Sequence, residues 1–263
     1  MKCIDAQRID QLPGRQIQEG ESFRFRCHAG LACFNRCCRN LNLFLYPYDV
    51  LRLGRRLGMR SDAFIDRHVD VVLRPGHYFP EVLLRMADNE EQTCPFLEAG
   101  GCAVYTDRPD TCRSFPVESG EVHDVLRKRT HPVYFFRPPE FCMGKDADQS
   151  WTVKAWYKDQ DAGIYHQMTR RWAEVRLLFE ENPWGPEGFE GQKGRMAFMA
   201  VYNLDLFRDF VFNSTFLKRY RIKGELVRRL RTEDTALLSF GFEFIRVFVW
   251  GRSSDQIRPR PRV

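Results

Sequence analysis

The chain has 263 residues, of which 43% are hydrophobic and 29% are charged. This composition excludes wholesale disorder, and the length suffices for one large domain or two modest ones with a buried core. The net charge of +6 is concentrated near the end, because residues 195–263 hold 14 Lys and Arg against 7 Asp and Glu. The N-terminus has no apolar run, and the most apolar stretch, 236–250, is too short to span a bilayer. We therefore expect a cytoplasmic protein without a transmembrane segment.

The first part of the chain combines short helices with turns. The stretch YPYDVLRLGRRLG predicts a helix, with Asp49 as its cap and Gly58 at its end. The stretch SDAFIDRHVDVV predicts a second helix, and EVLLRMA predicts a strand. Residues 94–116 are rich in Gly and Pro and have no helical period, so they predict a series of tight turns.

The pattern becomes helical from Trp151 onward. Apolar residues at helical spacing predict helices within 164–179, 200–211 and 237–247. The Pro- and Gly-rich stretch at 181–194 is the best candidate for a linker.

Clustered cysteines are the most informative feature of the sequence. The stretch CHAGLACFNRCC places four thiols within twelve residues, among three arginines. Nearby cations favour the thiolate, which is the form that binds metals. A second group has the spacing C-x7-C-x9-C, and a last cysteine lies in FCMGK, whereas Cys3 stands alone. The eight candidate metal ligands are Cys27, Cys33, Cys37, Cys38, Cys94, Cys102, Cys112 and Cys142.

Metal binding explains this pattern better than its alternatives do. Buried structural cysteines would follow a helix or strand face, and disulfides require an oxidising compartment. Thiolates select zinc, iron–sulfur clusters or copper(I). The repeated C-x2-C of zinc ribbons and the ferredoxin run are both absent. The eight thiols make either two sets of four or one four-ligand site with spare thiols.

The adjacent pair Cys37 and Cys38 bears on how the ligands are divided. Neighbouring side chains diverge in most backbone conformations, so one metal site seldom uses both. The pair is therefore predicted to serve two different sites, or to supply one ligand and one supporting thiol.

Several stretches resemble the YkgJ-type cysteine-cluster family, which is described as chelating zinc or iron. The lead-in FRFRC precedes a cluster ending in CCR, and CPFLEAGGCAVYTDRPDTCRSFP is the most specific signature. A late Cys-x-Gly at Cys142 and Gly144 also matches, and the resemblance covers about Phe23 to Phe179. The first cluster departs from the family's C-x2-C-x2-C-C run, because its gaps are five and three residues, which implies a wider loop.

The resemblance implies a chelating domain. A relative, the flagellin lysine-N-methylase, has a similar domain linked to an iron–sulfur cluster and S-adenosylmethionine-dependent methyl transfer. We therefore expect an iron–sulfur cluster, such as a 4Fe-4S cluster, with a zinc or iron ion as the alternative. Two other functions stay open. One is a cluster-dependent enzyme, such as a protein methyltransferase, with a pocket lined by Trp151, Trp156 and Trp172. The other is a zinc-stapled binding module.

The expected fold is mainly α, with irregular metal-organised loops. We predict a polar segment at 1–22, a cysteine-cluster metal-binding domain at 23–180, a helical C-terminal part at 195–250 and a flexible tail at 251–263. Interleaved basic and apolar residues in FLKRYRIKGELVRRLR could hold a nucleic acid, an anionic membrane surface or an acidic protein, although a solvated helix face is the simpler interpretation.

Residues around the thiols have predicted supporting roles. Arg108 could hydrogen-bond a carboxylate or a cluster sulfur, and Gly100 and Gly101 would let the backbone approach a metal. Tyr105 and Phe115 would pack over the site. Of the histidines, His28 could substitute for a thiol, and His68 is expected to be semi-buried. The remaining histidines, which are scattered, are His77, His123, His131 and His166.

Overall fold

The computed structural model describes residues 2–5, 9, 11–124 and 129–261. The α-helices in this part of the chain are α1 Pro47–Arg56, α2 Ser61–His68, α3 Asp110–Ser114, α4 Val153–Asp159, α5 Gly163–Arg176, α6 Gln192–Tyr202, α7 Leu204–Asn213, α8 Phe216–Arg219, α9 Gly224–Thr232 and α10 Asp234–Phe244. The strands are β1 Lys2–Asp5, β2 Arg15–Ile17, β3 Ser22–Arg24, β4 Val69–Val72, β5 Glu81–Leu84, β6 Leu97–Glu98, β7 Gly101–Cys102, β8 Val117–Asp124, β9 Arg129–Phe136, β10 Ser150–Thr152, β11 Tyr220–Arg221 and β12 Arg258–Pro259.

The chain divides into two compact units, each made of two separate segments. The first unit comprises Met1–Phe44 and Arg85–Ala173, and the second comprises Leu45–Leu84 and Glu174–Val263. Helices make up 46% of the chain. The expectation of a mainly α fold is therefore met only roughly, because small sheets occur in both units.

A four-stranded sheet forms part of the first unit, in the order β1-β8-β9-β2. Strand β1 runs parallel to β8, and the other neighbours are antiparallel. Along β9, buried Val133 and Phe135 alternate with the half-buried Tyr134 and Phe136. The two sets point to opposite faces of the strand, and Tyr134 and Phe136 pack against the aromatic cluster of Phe23 and Trp156, so apolar side chains cover both faces. The sequence analysis did not predict this sheet.

The core of the first unit is aromatic and centres on Trp156. Its ring meets Phe23 and Phe25 edge-on, with centroids 6.2 and 5.5 Å away, and its Nε1 donates to the carbonyl oxygen of Ser114 at 2.9 Å. Cys142 belongs to the same cluster of buried residues. One tryptophan therefore ties β3, α3 and α4 together beside a cysteine.

The second unit is mostly helical. Helix α10 packs against α1, α6, α7 and α9. It approaches α6 closely at Gly241, where an added Cβ would lie 1.9 Å from the carbonyl oxygen of Ala200. The fully buried core of this unit includes Leu53, Phe64, Leu204, Phe207, Leu230, Phe240 and Phe244.

Two predicted elements of the second unit differ in detail. Helix α1 was predicted correctly, but Tyr46 occupies the cap position, and its N–H donates to the carboxylate of Asp49 at 2.9 Å. Helix α2 ends at His68, and the β-branched run Val69–Val72 forms strand β4 instead. Pairing with β5 explains this early end, because Val69 lies opposite Leu84 and Val72 lies opposite Glu81.

The stretch at 181–194 was interpreted as a linker, but the side chain of Trp184 within it packs against other residues of the second unit. This side chain is buried, stacks 5.3 Å from the ring of Phe179 and donates from Nε1 to the carbonyl oxygen of Tyr78. Among the residues that the structure describes, none of the helices has both the length and the apolar character that a membrane crossing requires.

Candidate metal centre

All eight predicted ligands lie in the first unit, and all eight are free thiols. The side chain of Cys3 lies outside the described residues. The eight thiols come from four short segments of the chain: the loop after β3, the turns around β6 and β7, helix α3 and the turn after β9. They are half-buried or buried, except for the exposed Cys27.

The first cysteine segment is a succession of tight turns. Backbone hydrogen bonds run from Leu31 to His28, from Phe34 to Leu31 and from Arg36 to Cys33, with N···O distances of 2.9 to 3.1 Å. A single 3₁₀ turn at Arg36–Cys38 then completes the loop. Such turns suit ligands of a metal, because the loop has little apolar core of its own.

Four thiols form a first neighbourhood around this loop. The Cys27 thiol interacts electrostatically with those of Cys37, Cys142 and Cys33, and Cys142 interacts likewise with Cys33 and Cys37. Such interactions weaken with distance, so these thiols are neighbours in the fold. In addition, the backbone N–H of Met143 donates to the sulfur of Cys33 at 3.3 Å. The late cysteine therefore lies with the first cluster, from which it is distant in sequence.

The close surroundings of Gly144 explain why a glycine follows Cys142 in the late Cys-x-Gly motif. The backbone N–H of Arg26 donates to the carbonyl oxygen of Gly144 at 3.0 Å. A Cβ at Gly144 would lie 2.8 Å from the ring of Phe25 and 2.9 Å from the carbonyl oxygen of Arg26. A larger residue would push Cys142 away from the loop that carries Cys27.

The remaining cysteines are linked through the backbone of Cys94 and the side chain of Arg108. The backbone N–H of Cys94 donates to the carbonyl oxygen of Cys38 at 2.8 Å, and its thiol interacts electrostatically with Cys102. The β6–β7 hairpin places Cys102 opposite Leu97. Cys112, on α3, and Cys102 both interact with the guanidinium of Arg108. Cys38, Cys94, Cys102 and Cys112 thus form a second neighbourhood.

The two neighbourhoods adjoin at Cys37 and Cys38. A hydrogen bond between these two thiols is the main reason why the pKa of Cys37 lies far above its usual range, followed by burial. Burial likewise raises the pKa of Cys27 to about 11, and it raises the pKa of Cys94, Cys102 and Cys142. These thiols are protonated at neutral pH, so a metal must displace their protons.

The donor set fits zinc or iron in its chemistry, because thiolates are the ligands that both accept. Among the residues that the structure describes, however, no three Cys, His, Asp or Glu side chains are already arranged to hold a metal ion. Metal binding would therefore require the thiols of each neighbourhood to move together. Their positions on tight turns rather than on long helices permit this.

Two arginines of the signature hold the loop in place. Arg108 donates to the carbonyl oxygen of Tyr105 and to Oε1 of Gln160, at 2.5 and 2.7 Å, rather than to a carboxylate. Arg113, which is 3% exposed, donates to the carbonyl oxygens of Arg108, Gln160 and Thr106. The sequence analysis missed Arg113, although it directly follows Cys112.

The other supporting residues have mixed positions. Tyr105 is 58% exposed and lies against the Arg108 guanidinium, whereas Phe115 packs edge-on against Phe25. Gly101 adopts a left-handed conformation in the β6–β7 turn, with φ of 129°. A Cβ at Gly100 would meet nothing within 4 Å.

None of the described histidine side chains belongs to a group of three residues that could hold a metal ion. His28 is exposed, and its Nδ1 accepts from the N–H of Gly30 at 3.2 Å. His68 lies in the second unit against the ring of Phe64. His77 and His131 are exposed, and the side chain of His123 lies outside the described residues.

A buried polar cluster behind α3 was not predicted. Asp110 is 4% exposed, and burial raises its pKa to about 6. Burial also raises the pKa of Tyr157 and lowers that of His166 to about 4. The two rings of Tyr157 and His166 lie 4.9 Å apart. Only Asp110 carried a sequence signal, as part of DRPDTC.

The three tryptophans suggested for a substrate pocket lie in or beside the core. Trp151 donates to the carbonyl oxygen of Phe25 at 2.9 Å, Trp156 centres the aromatic core, and Trp172 is 1% exposed. An open groove of about 1410 Å³ does occur between the β2–β3 turn, β9 and α4. None of the eight cysteines lines it.

Residues 26–145 match the family model "CxxCxxCC: Putative zinc- or iron-chelating domain". This match confirms the resemblance seen in the sequence, and it spans all eight cysteines. It supports metal binding by this segment, with zinc or iron as the metal. No curated protein and no solved structure matches the chain.

Proposed function

We propose that the domain at residues 26–145 chelates metal through two sets of four thiolates. The first set is Cys27, Cys33, Cys37 and Cys142, and the second is Cys38, Cys94, Cys102 and Cys112. The observation that supports this proposal is the grouping of the cysteines: the thiol of Cys142 interacts with those of the first loop, and the backbone N–H of Cys94 donates to the carbonyl oxygen of Cys38.

Iron–sulfur clusters are the proposed occupants, and zinc ions are the alternative. Both accept four thiolates, and no carboxylate or imidazole is needed to complete either set. The thiols adjoin at Cys37 and Cys38, so the two sites would be neighbours. When bound, a cluster supplies one-electron redox chemistry, whereas zinc supplies only a structural link. Arg108 lies near Cys102 and Cys112 and would offset thiolate charge in the second set.

A set of four thiolates occupies every position of a tetrahedral metal. The proposal is therefore chelation rather than catalysis at an open coordination site. The cytoplasm is the compartment that suits it, because reduced thiols persist there.

The decisive experiment is anaerobic purification followed by a visible spectrum and measurement of iron, zinc and acid-labile sulfide per chain. Brown protein with iron and sulfide would identify clusters, and colourless protein with zinc would identify zinc sites. Protein that binds neither metal after reconstitution would contradict the proposal.

Single and double serine variants test the division into sets. Replacing Cys27, Cys142 or both should remove the same half of the metal, because all belong to one set. Replacing Cys27 and Cys112 together should remove nearly all of it. Cys3→Ser is the matched control and should keep the full content. Equal losses from Cys27→Ser/Cys142→Ser and Cys27→Ser/Cys112→Ser would overturn the division.

A further inference from the structure

Four arginines are exposed on one small ribbon of the second unit. Strand β11 pairs antiparallel with β12, with Tyr220 opposite Pro259 and Arg221 opposite Arg258. The backbone N–H of Arg260 also donates to the carbonyl oxygen of Arg219 at 2.9 Å. Side chains alternate between the two faces of a strand, and opposite residues share a face. We call the resulting surface the arginine face; its members are Arg219, Arg221, Arg258 and Arg260, all exposed.

The inner side of the ribbon is anchored in the core. The ring of Tyr220 lies 5.1 Å from Phe216 and 5.0 Å from Phe248. The next residues of that side, Ile222 and Ile257, are 8% and 3% exposed. Because these side chains point inward, the neighbouring arginines must point outward, and the segment at 258–260 is held against 219–221.

Carboxylates of the described residues balance only part of the positive charge of the arginine face. Arg258 pairs with Asp255 at 2.9 Å, but within the described ranges Arg219, Arg221 and Arg260 form no ion pair with a carboxylate. Lys218 and Lys223 flank β11 and are also exposed. Like charges directly opposite each other destabilise an antiparallel pair, and Arg221 faces Arg258. An external anion would relieve this repulsion.

The residue types of the arginine face and their spacing indicate that its ligand is a polymer of phosphate groups. Arginine binds phosphate through two parallel hydrogen bonds, which lysine does not. Residues two apart on a strand are about 6.7 Å apart, which presents the charges as a row rather than as a point. An anionic membrane fits less well, because stable membrane binding combines basic residues with apolar side chains that enter the bilayer. The large exposed hydrophobic residues of the described chain lie outside 214–231 and 251–261.

We propose that the arginine face binds the phosphate backbone of a nucleic acid. The paired region is only two residues long on each strand, too short to reach many base edges. Binding is therefore independent of base sequence and is dominated by counterion release. This surface belongs to the second unit, and the proposal does not depend on the metal centre.

Binding of a fluorescein-labelled DNA duplex of mixed sequence, measured by anisotropy across salt concentrations, tests the proposal. Four contacts predict a slope of about −3 to −4 for log K against log salt. Arg221→Gln/Arg258→Gln should make the slope shallower by about two and weaken binding at low salt by about tenfold or more. Lys154→Gln/Lys158→Gln, in helix α4 of the first unit, changes the net charge equally and should leave both quantities unchanged.

Several results would overturn the proposal. These are no binding at about 50 mM salt, an equal loss in the lysine control, or tighter binding to phosphatidylserine vesicles or polyglutamate than to DNA.

The variant Arg221→Glu tests whether a loss of DNA binding could result from misfolding. It should raise the thermal midpoint, because Glu would face Arg258, and yet it should weaken DNA binding at low salt by about tenfold or more. Retained binding in this stable variant would contradict the proposal.

Discussion

The backbone N–H of Cys94 donates to the carbonyl oxygen of Cys38, with the two atoms 2.8 Å apart. The next residue, Arg39, forms an antiparallel bridge with Thr93, and its guanidinium pairs with Glu91 at 3.1 Å. Two segments that are far apart in sequence are thus joined directly beside the adjacent pair Cys37 and Cys38. This junction brings the backbone of Cys38 beside Cys94, while the thiol of Cys38 stays hydrogen-bonded to that of Cys37.

Zinc binding to the metal-free protein should release protons. The pKa of Cys27 is about 11 and that of Cys37 is higher still, so these thiols hold their protons near neutrality. We expect up to about four protons per zinc at pH 7, and an affinity that rises with pH. Calorimetry in buffers of different ionisation enthalpy measures the number. Binding that did not change between about pH 6 and about pH 8 would contradict thiol ligation.

Gly144→Ala should destabilise the protein and release metal from the first set. Its Cβ would lie 2.8 Å from the Phe25 ring and 2.9 Å from the Arg26 carbonyl oxygen, so the turn after β9 must shift. We expect a loss of about 1 to 3 kcal/mol in the free energy of unfolding, measured with urea.

Gly163→Ala is the control for this change. A Cβ at Gly163 meets nothing within 4 Å, and the residue lies in the first turn of α5. It should be neutral or slightly stabilising. Similar losses for both variants would show that the close contact at Gly144 is unimportant.

Arg113→Lys should lower the free energy of unfolding, although it keeps the positive charge. The guanidinium satisfies three carbonyl oxygens in a buried position, and an ammonium cannot reach all of them. The expected loss is about 2 to 4 kcal/mol. Arg137→Lys is the matched control, because Arg137 forms an exposed pair with Glu118 at 3.1 Å, and it should change stability by less than about 0.5 kcal/mol. Thermal unfolding of both variants decides the point.

His166→Phe should remove part of the acid sensitivity of the fold. The pKa of His166 falls from 6.5 to about 4, chiefly because the ring is buried. The unfolded chain therefore binds more protons between these values, so stability rises with pH across this window and is lost as pH falls. We expect the wild type to lose about 1 to 3 kcal/mol more than His166→Phe between pH 6.5 and pH 4. Urea unfolding across this range measures the difference, and parallel curves would refute the expectation.

Local sequence patterns predicted the elements whose conformation depends mainly on their own residues. Helix α1 has buried Val50 and Leu53 at helical spacing, and β5 was correctly predicted from EVLLRMA. The extent of α2 was overestimated because Val69–Val72 continues an apolar pattern, and only its pairing with β5 makes it a strand. The sheet of β8 and β9 was missed for a similar reason, since its pairing partners decide its conformation more than its composition does.

The ligand chemistry follows from the sequence by itself, because the type of donor atom is a property of the residue. Eight clustered thiols indicated a metal that thiolates bind, and the family resemblance carried by CPFLEAGGCAVYTDRPDTCRSFP implied zinc or iron. Only the tertiary structure decided which segments meet, since contacts between distant residues depend on how the intervening chain packs. It brought Cys142 to the loop of Cys27, and it paired Arg258 with Arg221 to form a charged face that neither segment reveals alone.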